Sequence, residues 1–68
     1  MTERLANRIR EERERLGWTQ ADLAARIGVS RKTVNTVENG IFVPSTVIAL
    51  KLAQAFSVPV EQLFSIEE

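Results

Sequence analysis

The apolar positions of this chain fall into short runs, each bounded by residues that start or stop a helix. Leu5, Ile9 and Leu16 are spaced for one face of a first helix, about 2–15, and Gly17 is its stop. Thr19 caps a second helix, about 20–27, whose apolar set is Leu23, Ala24 and Ile27. Asp22, three residues past Thr19, is a shorter form of the capping-box acid, and Trp18 before the cap is placed to staple onto Leu23. Gly28 follows as a left-handed stop. Ser30 caps a third helix, about 31–38, with Val34 and Val37 as its i, i+3 apolar pair and Asn39-Gly40 as its end. The β-branched residues at 33, 34, 36 and 37 are poor helix formers, but no alternation keeps one side apolar, so the pattern favours helix over strand. After a loop over Ile41 to Pro44, Ser45 caps a fourth helix, about 46–56. That helix is apolar over so much of its circumference that it is expected at the centre of the core. Val58-Pro59 breaks it, a last helix covers about 60–64, and Ser65 to Glu68 is read as a tail. The expected fold class is an all-α, compact five-helix domain spanning residues 1–68.

Composition narrows the chemistry. Sixty-eight residues make one small domain, near the lower limit for folding alone, so a partner subunit is a plausible supplement to the core. The chain has no cysteine and no histidine, which removes disulfides, thiol chemistry, the commonest general base and the commonest transition-metal ligand. No enzyme, cofactor, metal or small-molecule substrate is expected. The N-terminus is charged and lacks an apolar signal-peptide core, and the apolar stretch from Ile41 to Val60 is interrupted by two prolines, Lys51 and Gln54. A soluble, cytoplasmic protein with no membrane partner is expected. The net charge is zero, yet it is unevenly spread. Residues 1–25 balance; residues 26–51 carry Arg26, Arg31, Lys32 and Lys51 against Glu38 alone; residues 52–68 carry only Glu61, Glu67 and Glu68. The middle of the chain is a local basic footprint.

Two of those cations open the third helix, where they oppose the helix dipole unless an anionic partner sits opposite. The second and third helices meet across Ile27-Gly28-Val29-Ser30, a tight corner of the helix-turn-helix kind, spanning about 20–39, whose second helix enters the major groove. With Val34 and Val37 turned inward, Arg31, Lys32, Asn35 and Thr36 project elsewhere. Arg and Lys can donate to guanine O6 and N7, Asn can pair with adenine, and Thr can touch a thymine methyl.

Thr19-Gln20-Ala21-Asp22-Leu23-Ala24, Gly28-Val29-Ser30, Thr33-Val34, Val37-Glu38-Asn39-Gly40 and Pro44-Ser45 together resemble the Cro/CI-like (XRE-type) helix-turn-helix DNA-binding domains. The resemblance covers about Leu5 to Phe64 and is nearest to the very short stand-alone bacterial regulators of that family. It implies a lambda-repressor-like fold with double-stranded DNA as partner. Ala24 matches the small residue at the helix crossing, Gly28 the turn glycine, and Val34 and Val37 the buried aliphatics. The resemblance also places base readers at Arg31, Lys32, Asn35 and Thr36. It implies phosphate contacts at Gln20 and Asn39, with Thr19, Ser30 and Thr33 as further hydroxyl donors, and Asn39 also serves as a left-handed C-cap. It implies a structural ion pair between Arg13 and Glu38. One departure stands out. Many relatives hold a Lys or Arg in the loop after the third helix, where this chain has Ile41-Phe42-Val43. A phosphate contact there is not expected, Phe42 is expected to pack on the core or brace the loop, and the salt dependence of binding is expected to be shallow.

One recognition helix reads few base pairs, so a homodimer on a palindromic operator is expected, with the apolar residues of segment 57–68, Leu63, Phe64 and Ile66, as the dimer contact. The leading function is a sequence-specific transcriptional regulator, a repressor that occludes promoter DNA, since nothing in the sequence supplies an effector or activation domain. The alternative is an antitoxin-like or adaptor module whose main partner is a protein, favoured by the neutral net charge and the apolar 41–43 loop.

Overall fold

A computed structural model describes residues 3–68 and places β1 (Arg4–Asn7), α1 (Ile9–Leu16), α2 (Gln20–Ile27), α3 (Arg31–Glu38), α4 (Thr46–Phe56), α5 (Val60–Leu63) and β2 (Phe64–Glu67) in chain order. Local signals set the helix starts. Thr19 and Asp22 form a reciprocal capping box on α2, Ser30 Oγ accepts from Thr33 N on α3, and Ser45 Oγ accepts from Ile48 N on α4. Gly28 ends α2 at φ 72°. A Cβ there would meet nothing within 4 Å, so it is the left-handed backbone, not space, that calls for glycine.

Each helix contributes to one core: Ile9 from α1, Leu23, Ala24 and Ile27 from α2, Val34 and Val37 from α3, Leu52, Ala53 and Phe56 from α4, and Leu63 from α5. Trp18, between α1 and α2, packs against this core with its ring stacked on Phe56 at a centroid distance of 5.6 Å. The Arg26 guanidinium lies over the Trp18 ring, 4.0 Å from its centroid.

Three expectations change. The domain is mostly helical rather than all-α, because β1 and β2 pair antiparallel, Leu5 opposite Ile66 and Asn7 opposite Phe64. The segments expected as the start of the first helix and as a C-terminal tail are therefore strands. Asn7 explains where the helix begins: its Oδ1 accepts from Ile9 N at 3.0 Å, while its Nδ2 donates to the carbonyls of Val37 and Glu38 at 3.1 and 3.3 Å. A side chain that satisfies the first turn of α1 and the last turn of α3 holds the chain out of helix before Ile9. Second, α4 is central along only one side. Leu52, Ala53 and Phe56 are buried, but Val47 and Leu50 are 61% and 49% exposed. Third, Leu63 is 1% exposed and belongs to the core, so its assignment to a dimer contact is corrected; Phe64 is half-buried against the same core, and Ile66 faces outward.

Candidate nucleic-acid interface

The α2–α3 corner presents α3 at the surface. At about 100° per residue, Arg31, Lys32, Asn35, Thr36 and Asn39 share one arc of roughly 140°, opposite the arc of Val34 and Val37. Burial follows that division: the two valines are 2% and 5% exposed, while Arg31 and Lys32 are exposed and Asn35 and Thr36 half-buried. Among the described residues neither Arg31 nor Lys32 has an ion-pair partner. α3 has no acid in its first turn. Two cations therefore stand at the positive end of a helix without internal compensation.

Behind this open end, the rest of the face is tied together. Gln20, Asn35, Asn39, Arg10 and Glu38 form a closed ring of side-chain hydrogen bonds. Asn35 Nδ2 donates to Gln20 Oε1 at 3.3 Å, Asn39 Nδ2 to Asn35 Oδ1 at 3.2 Å, and Arg10 Nη2 to Asn39 Oδ1 at 3.2 Å. Arg10 Nε and Gln20 Nε2 both donate to Glu38 Oε2, at 3.1 and 3.4 Å. Arg13 joins from below with two bonds of 2.9 Å, Nε to Oε1 and Nη2 to Oε2 of Glu38, and its Nη1 reaches the carbonyl of Trp18. This is the Arg13–Glu38 pair between α1 and the end of α3. The Glu38 side chain is 1% exposed and that of Arg13 14%.

Burial alone would raise the Glu38 pKa, but hydrogen bonds from Arg13 and Arg10 outweigh it and hold the carboxyl below its ordinary value. The hydrogen bond to Glu38 raises the Arg13 pKa in turn. A buried carboxylate with this many donors fixes the docking of α3 on α1 and α2; removing its partners would leave an uncompensated charge. Every buried side-chain polar atom among the described residues has a partner.

The candidate phosphate residues sit around this frame. Thr19 Oγ1 accepts from Asp22 N at 3.0 Å, which leaves its hydroxyl proton available to donate. Asp22 answers by accepting from Thr19 N, and that backbone bond draws its pKa down. Ser30 and Thr33 share a hydrogen bond of 3.0 Å at the start of α3. Thr36 Oγ1 donates back to the Thr33 carbonyl at 3.0 Å. Asn39 ends α3 at φ −87°, so the left-handed position falls to Gly40 at φ 73°, not to Asn39 as expected. Phe42 neither packs on the core nor braces the loop from inside; it is 63% exposed.

Arg10 and Asn7 escaped the sequence reading. Arg10 lies one turn before Arg13 on α1, a spacing that brings two side chains to one carboxylate, and this was the available signal. Asn7 offered none, because its acceptors lie about thirty residues away at the end of α3.

A family described as helix-turn-helix matches residues 9–63. The chain is 42% identical over 64 residues to the uncharacterised HTH-type transcriptional regulator YgzD of Bacillus subtilis, covering 94% of this chain and 97% of that one. It is 39% identical over 64 residues to an uncharacterised HTH-type transcriptional regulator of Archaeoglobus fulgidus, covering 94% and 91%. A crystal structure of a candidate DNA-binding protein from Bacteroides fragilis is similar with a TM-score of 0.79 at 26% identity, covering 90% of this chain and 98% of that one. The crystal structure of the hypothetical transcription factor NHTF from Neisseria has a TM-score of 0.75 at 31% identity, covering 79% and 61%.

Proposed function

This chain belongs to the helix-turn-helix family, and from that premise we propose that it is a sequence-specific double-stranded DNA-binding transcriptional regulator that represses by occluding promoter DNA as a homodimer on a palindromic operator. The observation that carries the reading is the division of α3. Its start holds two cations without ion-pair partners among the described residues, and the rest of its outer face is an ordered row of amides and hydroxyls.

In this reading α3 enters the major groove. Arg31 and Lys32 donate to guanine acceptors, and Asn35 presents to an adenine edge the second Nδ2 proton and second Oδ1 lone pair that its bonds with Gln20 and Asn39 leave over. The Thr36 hydroxyl is already committed to Thr33, so its methyl is what it offers a thymine. Gln20, Thr19, Ser30, Thr33 and Asn39 meet phosphates on either side. Arg10 adds a further cation at the edge of that face: its side chain is 59% exposed although it reaches Glu38 and Asn39. The frame around Glu38 holds these groups in place before DNA arrives, which reduces the ordering cost of binding.

The test is Arg31→Ala with Lys32→Ala, measured by fluorescence anisotropy on a bound duplex across a salt series. Affinity should fall by about 100-fold, since each good base contact carries on the order of 1–3 kcal/mol. Loss of affinity confined to the preferred sequence marks base reading. A uniform loss, with the salt slope reduced by roughly 2, marks phosphate contact instead. Unchanged affinity would favour the second reading, an antitoxin-like or adaptor module bound to a protein. That alternative draws its support from the exposed apolar loop at Ile41, Phe42 and Val43 and from a net charge of zero.

A further inference from the structure

An asparagine amide can turn about its last bond and exchange its oxygen for its nitrogen with almost no change of shape, so its partners decide which way round it sits. Asn35 Nδ2 donates to Gln20 Oε1 at 3.3 Å, and Asn35 Oδ1 accepts from Asn39 Nδ2 at 3.2 Å. Both partners are amides that could turn as well, so neither settles the orientation alone. The row ends, however, on two groups that have no choice. Gln20 Nε2 faces Glu38 Oε2 at 3.4 Å, and a carboxylate only accepts. Asn39 Oδ1 faces Arg10 Nη2 at 3.2 Å, and a guanidinium only donates. Glu38 is held in place by two 2.9 Å bonds from Arg13. Turning any one of the three amides would set oxygen against oxygen at one of its contacts and nitrogen against nitrogen at the other. Turning all three together repairs the middle of the row and spoils both ends.

We propose that Arg10 and Glu38 are positioning residues for base reading: as the two ends of this row they fix which way round the Asn35 amide meets DNA, and so on which strand it finds adenine. The inference deepens the role given to Asn35 above and rests on it.

An A·T pair shows in the major groove, in order, the adenine N7 acceptor, the N6 donor, and the thymine O4 acceptor and methyl; T·A shows the same series reversed. A two-bond contact needs N7 opposite an Asn35 Nδ2 proton and N6 opposite Asn35 Oδ1. With Nδ2 held toward Gln20 at the start of α2 and Oδ1 toward Asn39 at the end of α3, adenine on one strand satisfies both bonds. An amide free to turn would accept adenine on either strand. The phosphate roles of Gln20 and Asn39 are compatible with this arrangement, because each has a second amide proton that the row does not use.

The experiment reverses the row without changing its net charge. In Gln20→Lys with Asn39→Asp, the introduced ammonium donates to Glu38 and to Asn35 Oδ1. The introduced carboxylate accepts from Arg10 and from Asn35 Nδ2, so Asn35 should turn round. A second variant, Gln20→Met with Asn39→Ala, unties Asn35 on both sides; both variants keep the Arg13–Glu38 pair. Each protein is used to select from the same pool of random duplex DNA at about 0.15 M salt. Asn35→Ala identifies the base pair that Asn35 reads. There the wild type should prefer adenine on one strand by at least about fivefold. The untied variant should lose the choice between A·T and T·A, and the reversed variant should prefer the other strand. Preferences at the pairs read by Arg31 and Lys32 should persist in both, which a variant that had lost its fold would not show. The wild-type strand preference retained in both variants would overturn the proposal. In the free protein, nuclear Overhauser contacts from the Asn35 side-chain amide protons should run to Gln20 in the wild type and to position 39 in the reversed variant. Contacts to Asn39 instead of Gln20 in the wild type would also overturn it. If the wild type enriches no sequence, the DNA reading itself fails and the strand choice falls with it, even where the amide contacts show the row intact.

Discussion

Two surfaces flank the end of α3, and they solve opposite problems. On one side, Glu38 gathers Arg13, Arg10 and Gln20 into a network that leaves no buried polar side-chain atom without a partner among the described residues. On the other, Ile41 to Leu50 holds large apolar side chains that the chain itself does not cover. Polar groups removed from water must be matched within the fold or they destabilise it. Apolar groups left in water cost less and can wait for a partner. The contrast teaches that the orientation of α3 is an internal property of the domain, whereas the Ile41–Leu50 surface is one the domain does not cover by itself.

The sharpest way to break the polar side is Glu38→Ala. It leaves the largely buried Arg13 guanidinium without its carboxylate, and stability should fall by about 3–5 kcal/mol in urea unfolding. Acidification acts on the same group more gently. Because the folded Glu38 pKa lies below its ordinary value of 4.5, the carboxylate contributes stability above about that pH, and the contribution fades as pH falls through the folded pKa. Wild-type stability followed from pH 7 downward should therefore drop more steeply than that of Glu38→Gln, which has no proton to take up. If the two curves run parallel, the carboxylate is not the source.

Arg10→Ala should cost less, about 0.5–1 kcal/mol, because its guanidinium is mostly in water. It should nonetheless lower DNA affinity several-fold if Arg10 reaches phosphate. On the apolar side, Phe42→Ser should change the stability of the isolated monomer by less than about 0.5 kcal/mol, measured at concentrations too low for association. A larger loss would mean that Phe42 supports the fold and that the two surfaces differ less than their exposures indicate.

The helix starts and stops were legible because their causes are local. Thr19 with Asp22, Ser30 with Thr33, and Ser45 with Ile48 each settle within four residues, and Gly17 and Gly28 take the left-handed stops. The sheet was not legible. Arg4 pairs with Glu67 and Asn7 with Phe64, across nearly the whole chain, through strands of four residues too short to show alternation. The run of Leu5 to Ile9 also fits a helical interval, and only the tie from Asn7 to the end of α3 decides against it. On α4 the sequence told which residues are apolar, but tertiary packing decided that Leu52 and Phe56 go inward while Val47 and Leu50 stay out. For the site, the two cations and the caps were readable from α3 alone. The ring joining Gln20, Asn35, Asn39 and Arg10 needed α1, α2 and α3 in their places first.

Both surfaces converge on one claim, that two copies of α3 read DNA as a symmetric pair. Selection of bound sequences from random duplex DNA, at about 0.15 M salt, tests it most directly. The account predicts recovery of an inverted repeat with half-sites about 10–10.5 base pairs apart, or a multiple of that spacing. No sequence enriched above background would contradict it.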